Sequence, residues 1–282
     1  MTDTAPLFEM QPHHWDQLNK SGDRYKHLYG HAVVVSGPFG SGGAARLAAR
    51  GALRIGAGLV SIACSHNAIA EHAAHLNAIM IKPFGGAETL SDCFDKLKPQ
   101  AICIGPNLGL DETAKGQLAE TINLTCPKCV DADAITLLSL SSISFTTLQP
   151  KDVMTPHEGE LRRFIPEAFA QTTCRVTLAK AAAVKANCVV LFKGADTVIA
   201  APSGDCRKVS SRHLEHANWL ATAGSGDVLS GFITGLLARG FKAFDAASIG
   251  ATLHLDCAEA FGPGLIAEDI PEVLPKVLNL RM

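Results

Sequence analysis

Nowhere in the chain does an apolar run of about 18 residues pass without a polar break. The opening Met1-Thr-Asp-Thr-Ala-Pro-Leu-Phe-Glu-Met10 has neither a basic n-region nor a continuous apolar h-region, so neither a signal peptide nor a membrane span is expected. An excess of one charge is missing as well: 25 Lys plus Arg stand against 27 Asp plus Glu, a net charge of −2. Without a basic field the chain has no electrostatic footprint for nucleic acid or an acidic membrane surface. Small ligands are the expected partners, and the cytoplasm is the expected compartment. A disulfide framework is absent too. Nine cysteines, an odd number, are scattered between Cys64 and Cys257, which points to reduced thiols. Cys126-Pro-Lys-Cys129 is formally a C-x-x-C, but no second pair completes a zinc site and Cys129 is expected to enter a strand. Repeats, low-complexity tracts and linkers are likewise missing. The 282 residues suit one large α/β domain over 26–282, with 1–25 as a peripheral N-terminal segment.

What is present is alternation. Short apolar runs at 31–36, 59–63, 101–104, 129–130, 153–154 and 188–192 read as strands, separated by helical stretches near 42–55, 67–76, 111–122, 133–140, 157–164 and 172–186. This pattern predicts a mainly parallel sheet covered on both faces. Between 197 and 210 two short β runs flank Pro202-Ser203-Gly204-Asp205, a hairpin signal. Helices near 243–261 and 268–278 close the chain. In open parallel sheets ligands lie beyond the carboxyl ends of the strands, so the residues there carry the functional argument.

The segment 218–231, Asn-Trp-Leu-Ala-Thr-Ala-Gly-Ser-Gly-Asp-Val-Leu-Ser-Gly, constrains function most tightly. Gly224, Ser225 and Gly226 form a turn that lets backbone approach an anion. Val228, Leu229, Phe232, Ile233, Leu236 and Leu237 mark the buried stripe of the helix that follows. Unpaired N–H groups and the positive helix end would then face a phosphate. Asp227 sits in the first helical turn, where the dipole favours its ionised form by roughly 0.3–1 kcal/mol, and it is the candidate base for a hydroxyl proton. The plainer reading is an aspartate that only stabilises the helix start.

Four other strand ends stand out. Ser36-Gly37-Pro38-Phe39-Gly40-Ser41-Gly42-Gly43-Ala44 is a glycine-rich loop with neither a Walker lysine nor G-x-G-x-x-G spacing; its small residues admit a bulky ligand or serve helix packing. Gly105-Pro-Asn107-Leu-Gly109 suits a plain turn. In Thr155-Pro156-His157-Glu158-Gly159-Glu160, Pro156 holds Thr155 extended and presents His157 either to a polar ligand or to the fold itself. Lys193, in Lys193-Gly194-Ala195-Asp196-Thr197, could neutralise phosphate charge or remain a solvated surface lysine.

Taken in order, Thr-Pro-His-Glu-Gly-Glu, Lys-Gly-Ala-x-Thr and Leu-Ala-Thr-Ala-Gly-Ser-Gly-Asp-Val-Leu-x-Gly resemble the nucleotide-dependent NAD(P)H-hydrate dehydratases of the ribokinase-like superfamily. Gly-Ala-Leu-Arg-Ile-Gly-Ala-Gly-Leu-Val at 51–60 and Asp131-Ala-Asp133-Ala extend the resemblance over residues 25–275 or so. Three departures stand out. The family's Gly-Pro-Gly-Leu-Gly carries Asn107 here, its early His-Lys-Gly is Tyr25-Lys26-His27, and the loop between Gly37 and Gly43 differs.

The resemblance implies a three-layer α/β/α sandwich and a lyase of metabolite repair that returns the S epimer of hydrated NADH or NADPH to the reduced dinucleotide. ADP or ATP would be consumed, with Mg²⁺ accompanying the phosphates. It implies that Lys193, Gly194, Ala195, Asp196, Thr197 and Gly226 bind the nucleotide, while Ala44, Gly109, His157 and Asp227 face the hydrate. It further implies a homo-oligomer, a tetramer, working with an epimerase on a separate chain. A ribokinase-like kinase of a thiazole, pyrimidine or sugar alcohol would use the same anion turn, and a silent nucleotide-binding module would have no need of Asp227.

Overall fold

The computed structural model describes residues 4–20, 25–140 and 148–281. Among them nine strands form one sheet: β1 (His31–Val35), β2 (Leu59–Ser65), β3 (Met80–Phe84), β4 (Ala101–Ile104), β5 (Lys128–Val130), β6 (Val153–Met154), β7 (Val189–Phe192), β8 (Asp196–Ala200) and β9 (Cys206–Ser210). Their spatial order is β3-β2-β1-β4-β5-β6-β7-β8-β9. All neighbours are parallel as far as β7, and β7, β8 and β9 then pair antiparallel. The helices in chain order are α1 (Pro12–Leu18), α2 (Gly43–Arg54), α3 (Ile69–Ala73), α4 (Leu90–Leu97), α5 (Glu112–Ile122), α6 (Ala132–Leu140), α7 (Glu158–Phe164), α8 (Pro166–Gln171), α9 (Arg175–Ala186), α10 (Ser225–Ala238), α11 (Ala243–Phe261) and α12 (Asp269–Arg281).

Strand β1 shows why the sheet needs two covers. All five of its residues are buried: Ala32 and Val34 belong to the core that α2, α10, α11 and α12 share, whereas Val33 and Val35 belong to the core that α4, α5, α6 and α9 share. Alternate side chains point to opposite faces, so a strand apolar throughout must be sandwiched. The mainly parallel three-layer sandwich and the 197–210 hairpin are therefore present as expected. Four elements escaped the sequence reading: α1, β3, α4 and α8. Pro83 sits inside β3 and breaks its strand signature, and it is tolerated because β3 is an edge strand paired only with β2. The predicted helix at 67–76 is only the short α3 preceded by a 3₁₀ turn.

Helices α2 and α10 lie in close contact beneath the middle of the sheet. A Cβ on Gly231 would fall 2.1 Å from the carbonyl oxygen of Ala48, so glycine there permits the approach. In the N-terminal segment Leu18 is buried in the same core, and the backbones of Pro6 and Phe8 bond that of Lys208 in β9. Positions 1–3 and 21–24 of that segment lie outside the described residues. No helix among the described residues is long and apolar enough to cross a membrane.

Candidate active site

The glycine turn does what its residues require. Gly224 precedes α10 with φ +88°, and a Cβ there would fall 2.6 Å from Leu47 Cδ1 and 2.9 Å from Ala267 Cβ, so conformation and space both demand glycine. The Ser225 hydroxyl donates to the carbonyl of Leu220 at 2.6 Å, tying the turn to the preceding segment. The next N–H groups, of Gly226 and Asp227, belong to the open first turn of α10. No hydrogen bond joins the Asp227 carboxylate to any described residue, although the side chain is half-buried.

The sequence reading expected the helix dipole to keep Asp227 ionised. Burial, reinforced by the nearby charge of Asp131 and only partly opposed by Lys193, instead pushes its carboxyl up to about 7. A half-buried carboxylate beside another carboxylate outweighs a dipole contribution of roughly 0.3–1 kcal/mol. The consequence is chemical: a base with proton affinity near neutrality, held in the anion turn.

Asp131 follows β5 and is 1 % exposed. One of its oxygens accepts from Lys193 Nζ at 2.9 Å and the other from the Ser230 hydroxyl at 2.6 Å. Burial works to raise its proton affinity, but Lys193 and Ser230 prevail and hold the carboxyl below its ordinary value. For Lys193, burial lowers the proton affinity while Asp131, Glu160 and Asp227 raise it more, so the ammonium stays charged. A Cβ on Gly226 would lie 3.7 Å from Lys193 Nζ, which places this cation against the glycine turn. Three elements distant in sequence thus converge: the ends of β5 and β7 and the start of α10.

Lys193, Gly194, Ala195, Thr197 and Gly226 all line one cleft of about 330 Å³, with His254 of α11 in its wall. The structure therefore brings together the predicted nucleotide residues, except that Asp196 is not among the lining residues. Its carboxylate accepts from the Ser210 hydroxyl at 2.6 Å and from Arg212 Nε at 2.7 Å, bracing β8 against β9 and the turn beyond it. His254 was not anticipated. Its Nε2 donates to the carbonyl of Ser225 at 2.9 Å, and burial pushes its pKa down to about 4, so the ring is neutral and supports the glycine turn from behind.

The residues predicted for the hydrate lie on the neighbouring strand ends. His157 begins α7, where its Nδ1 accepts from the N–H groups of Gly159 at 2.9 Å and Glu160 at 3.3 Å. Glu160 answers by accepting the His157 N–H at 2.8 Å, a reciprocal cap. The cap leaves the proton on Nε2, 3.3 Å from Glu160, on a side chain that is 56 % exposed. Gly109 donates its N–H to Asp133 at 2.9 Å, and Ala44 lies in the first turn of α2. Asn107 adopts φ +51°, the left-handed region that asparagine tolerates better than most residues, and its amide donates to the carbonyl of Ser41 at 3.2 Å. The family's glycine is thus replaced by a residue that keeps the turn and adds a bond to the altered first loop. Asp131 and Ser230 were the partners the sequence reading missed. Asp131 had a visible signal, an acidic residue at a strand end, and Ser230 had none.

Strand order and glycine turn together define a ribokinase-like α/β fold. Ribokinase from Thermotoga maritima shares this fold, and the fold alone, at 12 % identity and a TM-score of 0.58 over 89 % of this chain and 99 % of that one. The model of the family described as NAD(P)H-hydrate dehydratase matches residues 32–274, and the chain belongs to that family. It is 32 % identical over 271 residues to the ADP-dependent (S)-NAD(P)H-hydrate dehydratase of Neisseria meningitidis, covering 89 % of this chain and 86 % of the relative. It is 36 % identical to the bifunctional NAD(P)H-hydrate repair enzyme of Moorella thermoacetica, covering 90 % of this chain and 50 % of that one. The chain thus spans about half the length of the first curated relatives it matches. The crystal structure of the ADP/ATP-dependent NAD(P)H-hydrate dehydratase from Bacillus subtilis, co-crystallized with ATP and Mg²⁺, superposes with a TM-score of 0.80 at 27 % identity, covering 99 % of each chain.

Proposed function

We propose that this chain dehydrates the S epimer of hydrated NADH or NADPH at the expense of ADP or ATP. The observation that carries the reading is Asp227: a carboxyl with no hydrogen-bond partner among the described residues and a pKa near 7, in the same turn whose N–H groups and neighbouring Lys193 suit a phosphoryl group. Asp227 accepts the proton of the ring hydroxyl as its oxygen attacks the terminal phosphorus, and the nucleotide departs one phosphate shorter. Hydroxide is a poor leaving group and phosphate a good one. The ring nitrogen then expels inorganic phosphate, and loss of a proton from the adjacent ring carbon restores the dihydropyridine. The N–H groups of Gly226 and Asp227 hold the transferred oxygens, a contact worth about 3–4 kcal/mol per donor in the transition state.

Among the described residues no cluster of three metal-binding side chains exists. Mg²⁺ suits such a site because it keeps its waters and rides on phosphate oxygens with one or two carboxylates nearby. Asp133, close enough to Asp227 to raise its proton affinity, would be that carboxylate, and the ion would neutralise phosphate charge. Lys193, Gly194, Ala195, Thr197 and Gly226 hold the nucleotide in this reading, and Ala44, Gly109 and His157 the hydrate. The nine free thiols support a reducing, cytoplasmic setting. A tetramer and an epimerase on a separate chain complete the proposal. The test is incubation with the S hydrate of NADPH, Mg²⁺ and either nucleotide while following absorbance of the reduced ring. A nucleotide-dependent gain with release of free phosphate is expected. No gain with either nucleotide overturns the reading, and a stable phosphorylated alcohol points to a kinase.

A further inference from the structure

The glycine-rich loop after β1 ends on the N-terminus of α2, where unpaired N–H groups would ordinarily suit an anion. Here the protein's own carboxylate binds the loop backbone just ahead of that turn. Glu71 of α3 accepts the N–H of Gly40 at 2.7 Å through one oxygen, and with the other it accepts the N–H of Gly42 at 3.0 Å and Arg46 Nη1 at 2.9 Å. Those backbone and guanidinium bonds hold its carboxyl below the ordinary range. The neighbouring His72, fully buried, bonds the Ser36 hydroxyl at 3.1 Å, so one short helix grips both ends of the loop. The gripped helix matters to the site: Leu47 of α2 abuts Gly224, and Ala44 stands one turn before it.

We infer that Glu71 is a positioning residue for the hydrated dinucleotide: its carboxylate locks the 36–43 loop and the first turn of α2, so that Ala44 is presented at a fixed distance from the anion turn. It follows that the N–H groups of Gly40 and Gly42 fix the shape of this wall of the hydrate side and are closed to a phosphate, because Glu71 already engages them. The inference rests on the proposed dehydratase reading. Displacing such a loop costs binding of the ligand it lines, while the nucleotide cleft, whose lining includes no residue of the loop or of α2, stays in place.

The experiment is steady-state kinetics of Glu71→Ala and Glu71→Gln with the S hydrate of NADPH and ADP, in acetate or formate and in chloride at equal ionic strength. Glu71→Ala should raise the KM for the hydrate about tenfold, with KM for ADP and kcat within about twofold of wild type. Acetate should restore the hydrate KM in Glu71→Ala, since the vacated N–H groups and Arg46 accept a free carboxylate, and chloride should not. Glu71→Gln keeps the side-chain volume and one carbonyl acceptor; it should fall between the two proteins and serves if Glu71→Ala does not fold. An unchanged hydrate KM in a folded variant, an equal rise for both substrates, or indifference to acetate overturns the role. Wild-type protein inert toward the hydrate overturns the dehydratase reading, and the role of Glu71 with it.

Discussion

The two halves of the cleft are built on different principles. On the nucleotide side, from β7 to the start of α10, the cleft is lined by open backbone and small residues around Lys193, with Leu220, Leu229 and Leu255 as apolar walls. On the hydrate side, from the β1 loop to α7, nearly every polar group is already engaged: Glu71 with the first loop, Asp133 with Gly109, His157 and Glu160 with each other. The first half offers unsatisfied donors to a ligand that brings its own charge. The second is a framework whose shape, held by internal bonds, selects the ligand. Asp227 stands at the seam. No described residue bonds its carboxylate, and its proton affinity is raised first by burial and then by charges of both halves, Asp131 against Lys193 on one hand and Asp133 on the other.

The largest expected effect breaks the seam itself. Asp227→Asn keeps the shape and removes the base, so turnover should fall by roughly 10²–10⁴-fold while ADP affinity measured by calorimetry stays near wild type. A variant that binds ADP normally and keeps most of its turnover removes Asp227 from the chemistry. The same residue predicts pH dependence. Below about 7 turnover should rise with pH in proportion to the ionised fraction of Asp227, and level off above it. The stability sign is opposite to that of a salt-bridged carboxylate. With the folded pKa raised above the unfolded value, the native state loses stability as pH climbs from the ordinary carboxylate range through 7. Asp227→Asn should therefore melt higher than wild type at pH 8 and close to it at pH 4, readable by calorimetry.

Lys193→Ala sharpens the nucleotide half. It should weaken ADP binding by about tenfold or more through lost charge, and it also strands Asp131. Stranding a buried charge costs about 3–5 kcal/mol when both partners are sealed, and about 2 kcal/mol is expected here because the lysine is 23 % exposed. Lys193→Arg should recover most of the stability. Unchanged ADP affinity in the alanine variant would take Lys193 out of the nucleotide site.

The smallest effect tests the framework. His157→Ala should raise the hydrate KM a few-fold and remove a helix cap worth about 1 kcal/mol, visible as a lower melting temperature. Equal effects on the KM values for hydrate and ADP would leave the imidazole with its cap alone.

Much of this architecture was readable because it depends on local rules. Gly224 had to be glycine at φ +88°, the periodicity of Val228 to Leu237 required a buried helix, and Lys193 followed an apolar run that could only be a buried strand. Pro83 hid β3, because a local breaker in a strand is harmless at an edge and the edge is not written in the local pattern. His157 was legible as a residue at a strand end, but its role as a cap depends on how the following turn closes.

The sequence by itself therefore determined the alternating sheet, the anion turn with its aspartate and a lysine at a strand end, since backbone conformation and hydrophobic period are properties of neighbours in the chain. Only the tertiary structure decided that Asp131 and Ser230, 99 positions apart, bond each other, that Glu71 binds the loop ahead of α2 and Arg46 within it, and that Asp227 titrates near 7 instead of lying ionised under a helix dipole. Proton affinity and hydrogen-bond satisfaction are sums over whatever lies within a few ångströms, and those neighbours are supplied by packing.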